Sequence, residues 1–103
     1  MDPKEPRRDS SNSPGLIFSI DHDRFNLTFA VTRGVAVDEL GFIFVADSGN
    51  NRIQIFNPDG TFLRAFGRWG QNDGEFKGLE GIAVNSKGNI LVADRENHRI
   101  QIF

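Results

Sequence analysis

Residues 34–56, GVAVDELGFIFVADSGNNRIQIF, return as residues 81–103, GIAVNSKGNILVADRENHRIQIF. The two segments align without a gap at an offset of 47 (81 − 34). Gly34/Gly81, Val45/Val92, Asp47/Asp94, Asn50/Asn97, Arg52/Arg99, Ile53/Ile100, Gln54/Gln101 and Phe56/Phe103 are among the identical pairs. Self-similarity at a fixed period of tens of residues marks a repeat architecture.

Within a copy, the pattern is that of short strands and turns. Val35 and Val37 alternate with Ala36, Glu39-Leu40-Gly41 makes a tight turn, and Phe42–Ala46 is an apolar run of β-formers. Ser48–Asn51 turns the chain into Arg52–Phe56, where polar and apolar residues alternate. Asn57-Pro58-Asp59-Gly60 is a second strong turn signal, and Thr61–Phe66 a fourth strand. The second copy repeats the first three strands at Gly81–Asn85, Asn89–Ala93 and Arg99–Phe103. Strands joined by such turns, with no helical periodicity between them, predict antiparallel meanders. The expected class is all-β: four-stranded antiparallel blades of a partial β-propeller, one complete and one lacking its outer strand.

Outward from the repeat the chain changes character. Residues 1–15 hold three of the four prolines and almost no apolar side chain, so they read as a disordered tail. Residues 16–33 read as a strand or loop of a preceding blade or connection. Residues 34–80 are then the first blade with its Gly-rich connection, and 81–103 the second. Ring closure needs further blades, from a longer chain or from other subunits.

Composition excludes several functions. The 103 residues contain no Cys, so there is neither a disulfide framework nor a thiolate metal site. That fits a reducing, cytoplasmic setting. No apolar run reaches the roughly 18 residues of a membrane helix, and a net charge of −2 creates no global basic field. His22 and His98 are the only histidines and lie far apart in the chain. No nucleophile–base order, phosphate loop or ligand cluster stands out, so the chain reads as a non-enzyme with no cofactor or metal.

The motifs resemble the NHL repeat: the Gly-Val-Ala-Val-Asp opening at Gly34–Asp38, Val-Ala-Asp at Val45–Asp47, Asn-x-Arg-Ile-Gln-x-Phe at Asn50–Phe56, and Phe66, Gly67 and Gly70 in the connection. The wording is similar to tripartite-motif NHL proteins. That resemblance implies a six-bladed propeller whose loop face binds RNA or protein. Here the face would carry Arg33, Asn50, Asn51, Arg68, Trp69, Arg95 and His98. Arg, Asn, His and an aromatic can read and stack single-stranded bases, which gives the first functional expectation: single-stranded RNA recognition in post-transcriptional regulation. The alternative is a protein-binding propeller that presents substrates to a ubiquitin ligase located elsewhere in a longer protein. Asp47 with Arg52, and Asp94 with Arg99, are expected to pin the turn between the second and third strands of each copy. Phe76 is expected to plug the core, and Trp69 to pack against the neighbouring blade.

Overall fold

The computed structural model describes residues 32–103. The expectations for residues 1–15 and for the stretch ahead of Thr32 therefore lie outside the described residues. Seven strands follow in order: β1 (Thr32–Val37), β2 (Ile43–Asp47), β3 (Arg52–Phe56), β4 (Phe62–Phe66), β5 (Leu79–Val84), β6 (Ile90–Asp94) and β7 (Arg99–Ile102). They form a four-stranded sheet in the order β1-β2-β3-β4 and a three-stranded sheet in the order β5-β6-β7, all antiparallel. Among the described residues there is no helix beyond two single 3₁₀ turns, Ser48–Asn50 and Arg95–Asn97. The all-β propeller-blade architecture is thus present.

Both first strands begin two residues earlier than alternation alone suggests. β1 pairs Thr32 with Asp47 and then Gly34 with Ala46, skipping one residue, and β5 pairs Leu79 with Asp94 and then Gly81 with Ala93. The same bulge sits at the same place in both units. It lets the strand start beyond the point where the polar/apolar rhythm breaks.

The sheets pack against each other. One side of the first sheet contributes Phe44, Ala46, Ile53 and Ile55, and the second unit contributes Phe76, Leu79, Ile90 and Val92, all buried in one cluster. Each large aliphatic or aromatic side chain removed from water there stabilises by about 1.5–3 kcal/mol. Phe76 sits at the centre of the aromatic part, with ring centroids 6.3 Å from Phe66 and 5.8 Å from Phe103. Gly67 makes room for it. A Cβ at Gly67 would lie 2.5 Å from the Phe76 ring, and its φ of +103° is itself one that other residues rarely adopt.

Phe76 also decides where Trp69 goes. Trp69 and Phe76 form an isolated parallel bridge, with the Phe76 amide donating to the Arg68 carbonyl and the Gly70 amide donating to the Phe76 carbonyl. Phe76 occupies the interior slot, and Trp69 remains 63% exposed instead of packing on the neighbouring unit.

Candidate loop-face binding site

The β2–β3 turn, the β6–β7 turn and the connection from β4 to β5 gather at one end of the two sheets. Hydrogen bonds fix them to one another. Ser48 Oγ donates to the Leu79 carbonyl at 2.8 Å. The Arg95 and Glu96 amides donate to the Gly78 and Lys77 carbonyls, and Asn97 Nδ2 donates to the Gly70 carbonyl at 2.9 Å.

Beneath each turn lies a buried carboxylate. Asp47 Oδ2 accepts from Asn50 Nδ2 (2.9 Å), Arg52 Nε (3.0 Å) and Gln54 Nε2 (3.2 Å). Asp94 Oδ2 accepts the same set from Asn97 (2.9 Å), Arg99 (2.9 Å) and Gln101 (3.1 Å), while Oδ1 takes the Lys77 amide at 2.6 Å. Both carboxylates are fully buried. Burial pushes the Asp94 carboxyl up, but donation from Asn97, the Lys77 amide, Arg99 and Gln101 outweighs it and holds the group below its ordinary value of 3.8. The spacing Asp, +3 Asn, +5 Arg, +7 Gln is therefore a structural knot. Arg99 extends it by donating Nη2 to the Asn72 and Glu75 carbonyls, and Gln101 Nε2 donates to Glu75 as well. The connection is strapped to β7 through these bonds.

The sequence reading did not place Gln54, Gln101 or Asn97 in the knot, and it set Asn50 among the surface residues for a ligand. The structure has Asn50 exposed, with its amide turned to Asp47. A signal was available: these positions are identical in both copies, whereas the turn tips are not. Gln54 Oε1 is buried with no hydrogen-bond partner, while Gln101 Oε1 accepts the Gly74 amide at 3.0 Å.

The remaining candidates lie on the surface of this end. Arg33 is in β1, but its side chain is outside the described residues. Asn51 and His98 close the two 3₁₀ turns in the left-handed region, at φ 51° and 54°. Asn51 is half-buried and His98 exposed. Arg68 is exposed and donates Nε to Glu75 at 2.8 Å, and Arg95 Nε lies 3.2 Å from Glu80. The Asn72 amide and then the Arg68 guanidinium hold Glu75 below its ordinary value of 4.5. Lys77 Nζ lies 5.6 Å from the Trp69 ring centroid. Lys77 thus lies by the exposed indole, with Arg68 in the same connection and Arg95 and His98 in the β6–β7 turn that is hydrogen-bonded to that connection. Among the described residues no group of three or more His, Cys, Asp or Glu is arranged to hold a metal ion, and no helix is long and apolar enough to cross a membrane.

A family model for the NHL repeat matches residues 33–56 and 76–103, together just over half of the chain. The chain belongs to the NHL-repeat family. Its NHL units are similar to segments of much longer proteins. The E3 ubiquitin-protein ligase TRIM71 of Gallus gallus is 49% identical over 49 residues, which are 48% of this chain and 6% of that protein. Protein brain tumor of Drosophila melanogaster is 45% identical over 47 residues (46% of this chain, 4% of that protein). Protein lin-41 of Caenorhabditis elegans is 53% identical over 30 residues (29% and 3%). The chain thus spans only a few per cent of the length of the relatives it matches.

Proposed function

We propose that the loop end of the NHL units is a non-catalytic binding face for single-stranded RNA, acting in post-transcriptional regulation in the cytoplasm. The observation that carries this is Trp69, 63% exposed, with the Lys77 ammonium over its ring and Arg68, Arg95 and His98 in the adjoining loops. An open indole gives a base a sequence-tolerant stacking surface worth about 1–3 kcal/mol. The basic side chains supply phosphate contacts, each of which adds about 0.7 to the slope of log affinity against log salt for single strands.

One observation favours a second reading. Arg68 and Arg95 are both ion-paired, to Glu75 and Glu80. A phosphate would have to displace those carboxylates, whereas a protein partner could leave the pairs in place. On that reading the face captures a protein for a ubiquitin ligase, the activity in the name of the TRIM71 relative. The 103 residues have no Cys to build a RING-type zinc site, so that activity would belong to other residues of a longer protein.

Fluorescence polarisation with a labelled unstructured RNA oligonucleotide, over a salt series, separates the readings. RNA recognition requires that Trp69→Ala weaken binding by roughly 5- to 100-fold, the loss of one stacked base. It also requires that the double change Arg68→Glu, Arg95→Glu lower the salt slope. Binding untouched by all three changes, with the variants' thermal unfolding unaltered, removes the RNA reading.

A further inference from the structure

Arg68 and Arg95 each face a carboxylate on the loop end, but the two carboxylates are held differently. Arg95 Nε lies 3.2 Å from Glu80 Oε1, with the two side chains 68% and 40% exposed. Among the described residues nothing else bonds the Glu80 carboxylate. An exposed pair of this kind is weak, and its members swing apart readily in water.

Glu75 has no such freedom. Its side chain is 12% exposed, whereas that of its partner Arg68 is 82% exposed. Oε2 accepts from Arg68 Nε at 2.8 Å and Oε1 from the Asn72 amide at 3.2 Å. The carboxylate lies against Gly70, where a Cβ would collide with Oε1. The main chain is fixed as well: the Glu75 amide donates to the Asn72 carbonyl at 3.0 Å, and the Glu75 carbonyl accepts from Arg99 Nη2 and Gln101 Nε2. Because the Asn72 amide and Arg68 keep the carboxyl below its ordinary value of 4.5, this anchored group is an anion at neutral pH.

The anchored anion sits next to the exposed indole. Gly70 follows Trp69 directly, and Trp69 is bridged to Phe76, the residue after Glu75. Arg68, Trp69 and Glu75 thus belong to the same two bridged segments. A phosphate that approaches Arg68 meets a carboxylate that cannot leave. It either loses the competition for the guanidinium or shares it beside a like charge, and both are unfavourable. At Arg95 the carboxylate can turn away into water. Two arginines that look alike in the sequence are therefore unequal as phosphate contacts.

We propose that Glu75 is a fixed electrostatic gate that limits how tightly the loop face holds a phosphate-bearing strand, and that Glu80 is not one; this rests on the RNA reading above. Polarisation titrations of the labelled unstructured RNA oligonucleotide with the full 103-residue chain test it. Glu75→Gln is expected to tighten binding roughly three- to tenfold, and Glu80→Gln to change it by less than about twofold. Glu75→Gln should also steepen log affinity against log salt by about 0.7, as Arg68 becomes a full phosphate contact. Glu75→Ala, which keeps the carbonyl bonded to Arg99 and Gln101, should act in the same direction. In an Arg68→Ala background the gain from Glu75→Gln should fall below about twofold, because the arginine it would release is gone. A native chain that binds RNA but is tightened by neither Glu75 variant overturns the gate and leaves the RNA reading standing, as does equal tightening by Glu80→Gln. Weaker binding together with a lower thermal unfolding midpoint shows Glu75 to be structural and overturns the gate too. If the native chain and every variant fail to bind, the RNA reading falls and the gate with it.

Discussion

Ile53 and Ile100 are the same residue in two copies of one pattern, on matching strands with matching neighbours in sequence. Ile53 is wholly buried and Ile100 is two-thirds exposed. The strand is the same because alternation and turn chemistry are local, and both copies satisfy them. What differs is the presence of a packed neighbour, and that is a tertiary matter. A repeat unit carries a core face in its sequence whether or not anything covers it. The knots show the opposite behaviour: Asp47 and Asp94 gather the same three side-chain donors at nearly the same distances, since every donor comes from within eight residues.

The largest effect that tests this contrast is a pair of truncations. Ile53→Ala removes contacts in a filled core and should cost about 2–4 kcal/mol. Ile100→Ala, at an exposed position, should change stability by less than about 0.5 kcal/mol. Chemical denaturation of the two variants side by side reads the difference. Equal costs would mean that Ile100 is covered in solution.

Next comes the knot. Asp94→Asn keeps the shape but removes the charge that Arg99 faces, and a fully buried carboxylate with four donors should cost about 2–3 kcal/mol at neutral pH. The sign with pH follows from the lowered folded-state value. The native chain holds this stabilisation in full above the unfolded value of about 3.8 and loses it as pH falls from there through the folded value. The gap between the unfolding midpoints of native and Asp94→Asn chains should therefore be constant above about pH 5 and narrow as pH falls below about 4. A gap that does not narrow at all on acidification would show that the variant acts through packing rather than charge.

These particular residues also mark how far the sequence could be read. The strands, both knots' ion pairs and the core position of Phe76 follow from alternation, spacing and side-chain type. The bulges ahead of Gly34 and Gly81 do not, because a skipped residue leaves no trace in a two-residue rhythm. Whether Trp69 packs or stays open is not legible in the sequence, because an aromatic beside glycines fits a gap between sheets equally well facing in or out. The choice depends on Phe76, seven residues later, taking the inner slot first. Gln54 and Gln101 were legible in principle from their identity across copies, but a glutamine in a strand carries no local signal of a buried partner. Which face is covered, and by what, lies outside any single copy's pattern.

The smallest effect separates the knot from the tip above it. Asn51 and His98 both close their turns in the left-handed region, where an asparagine is tolerated well and a bulkier side chain pays about 1 kcal/mol relative to glycine. His98→Gly relieves that strain but frees the unfolded chain, so the two terms largely cancel. The expected change is a few tenths of a kcal/mol, in either direction, with the Asp94 hydrogen bonds intact. Asn51→Gly should do still less, since asparagine starts with less strain to lose. Amide hydrogen exchange at Arg99 and Gln101 checks that the frame is unaltered, and the same RNA titration reads the tip. A frame that holds while affinity changes would show that stability and recognition are carried by different residues of one eight-residue stretch. If His98→Gly instead loosens exchange across β7, the tip is part of the scaffold, and the variation between Ser48–Asn51 and Arg95–His98 reflects packing rather than a displayed ligand surface.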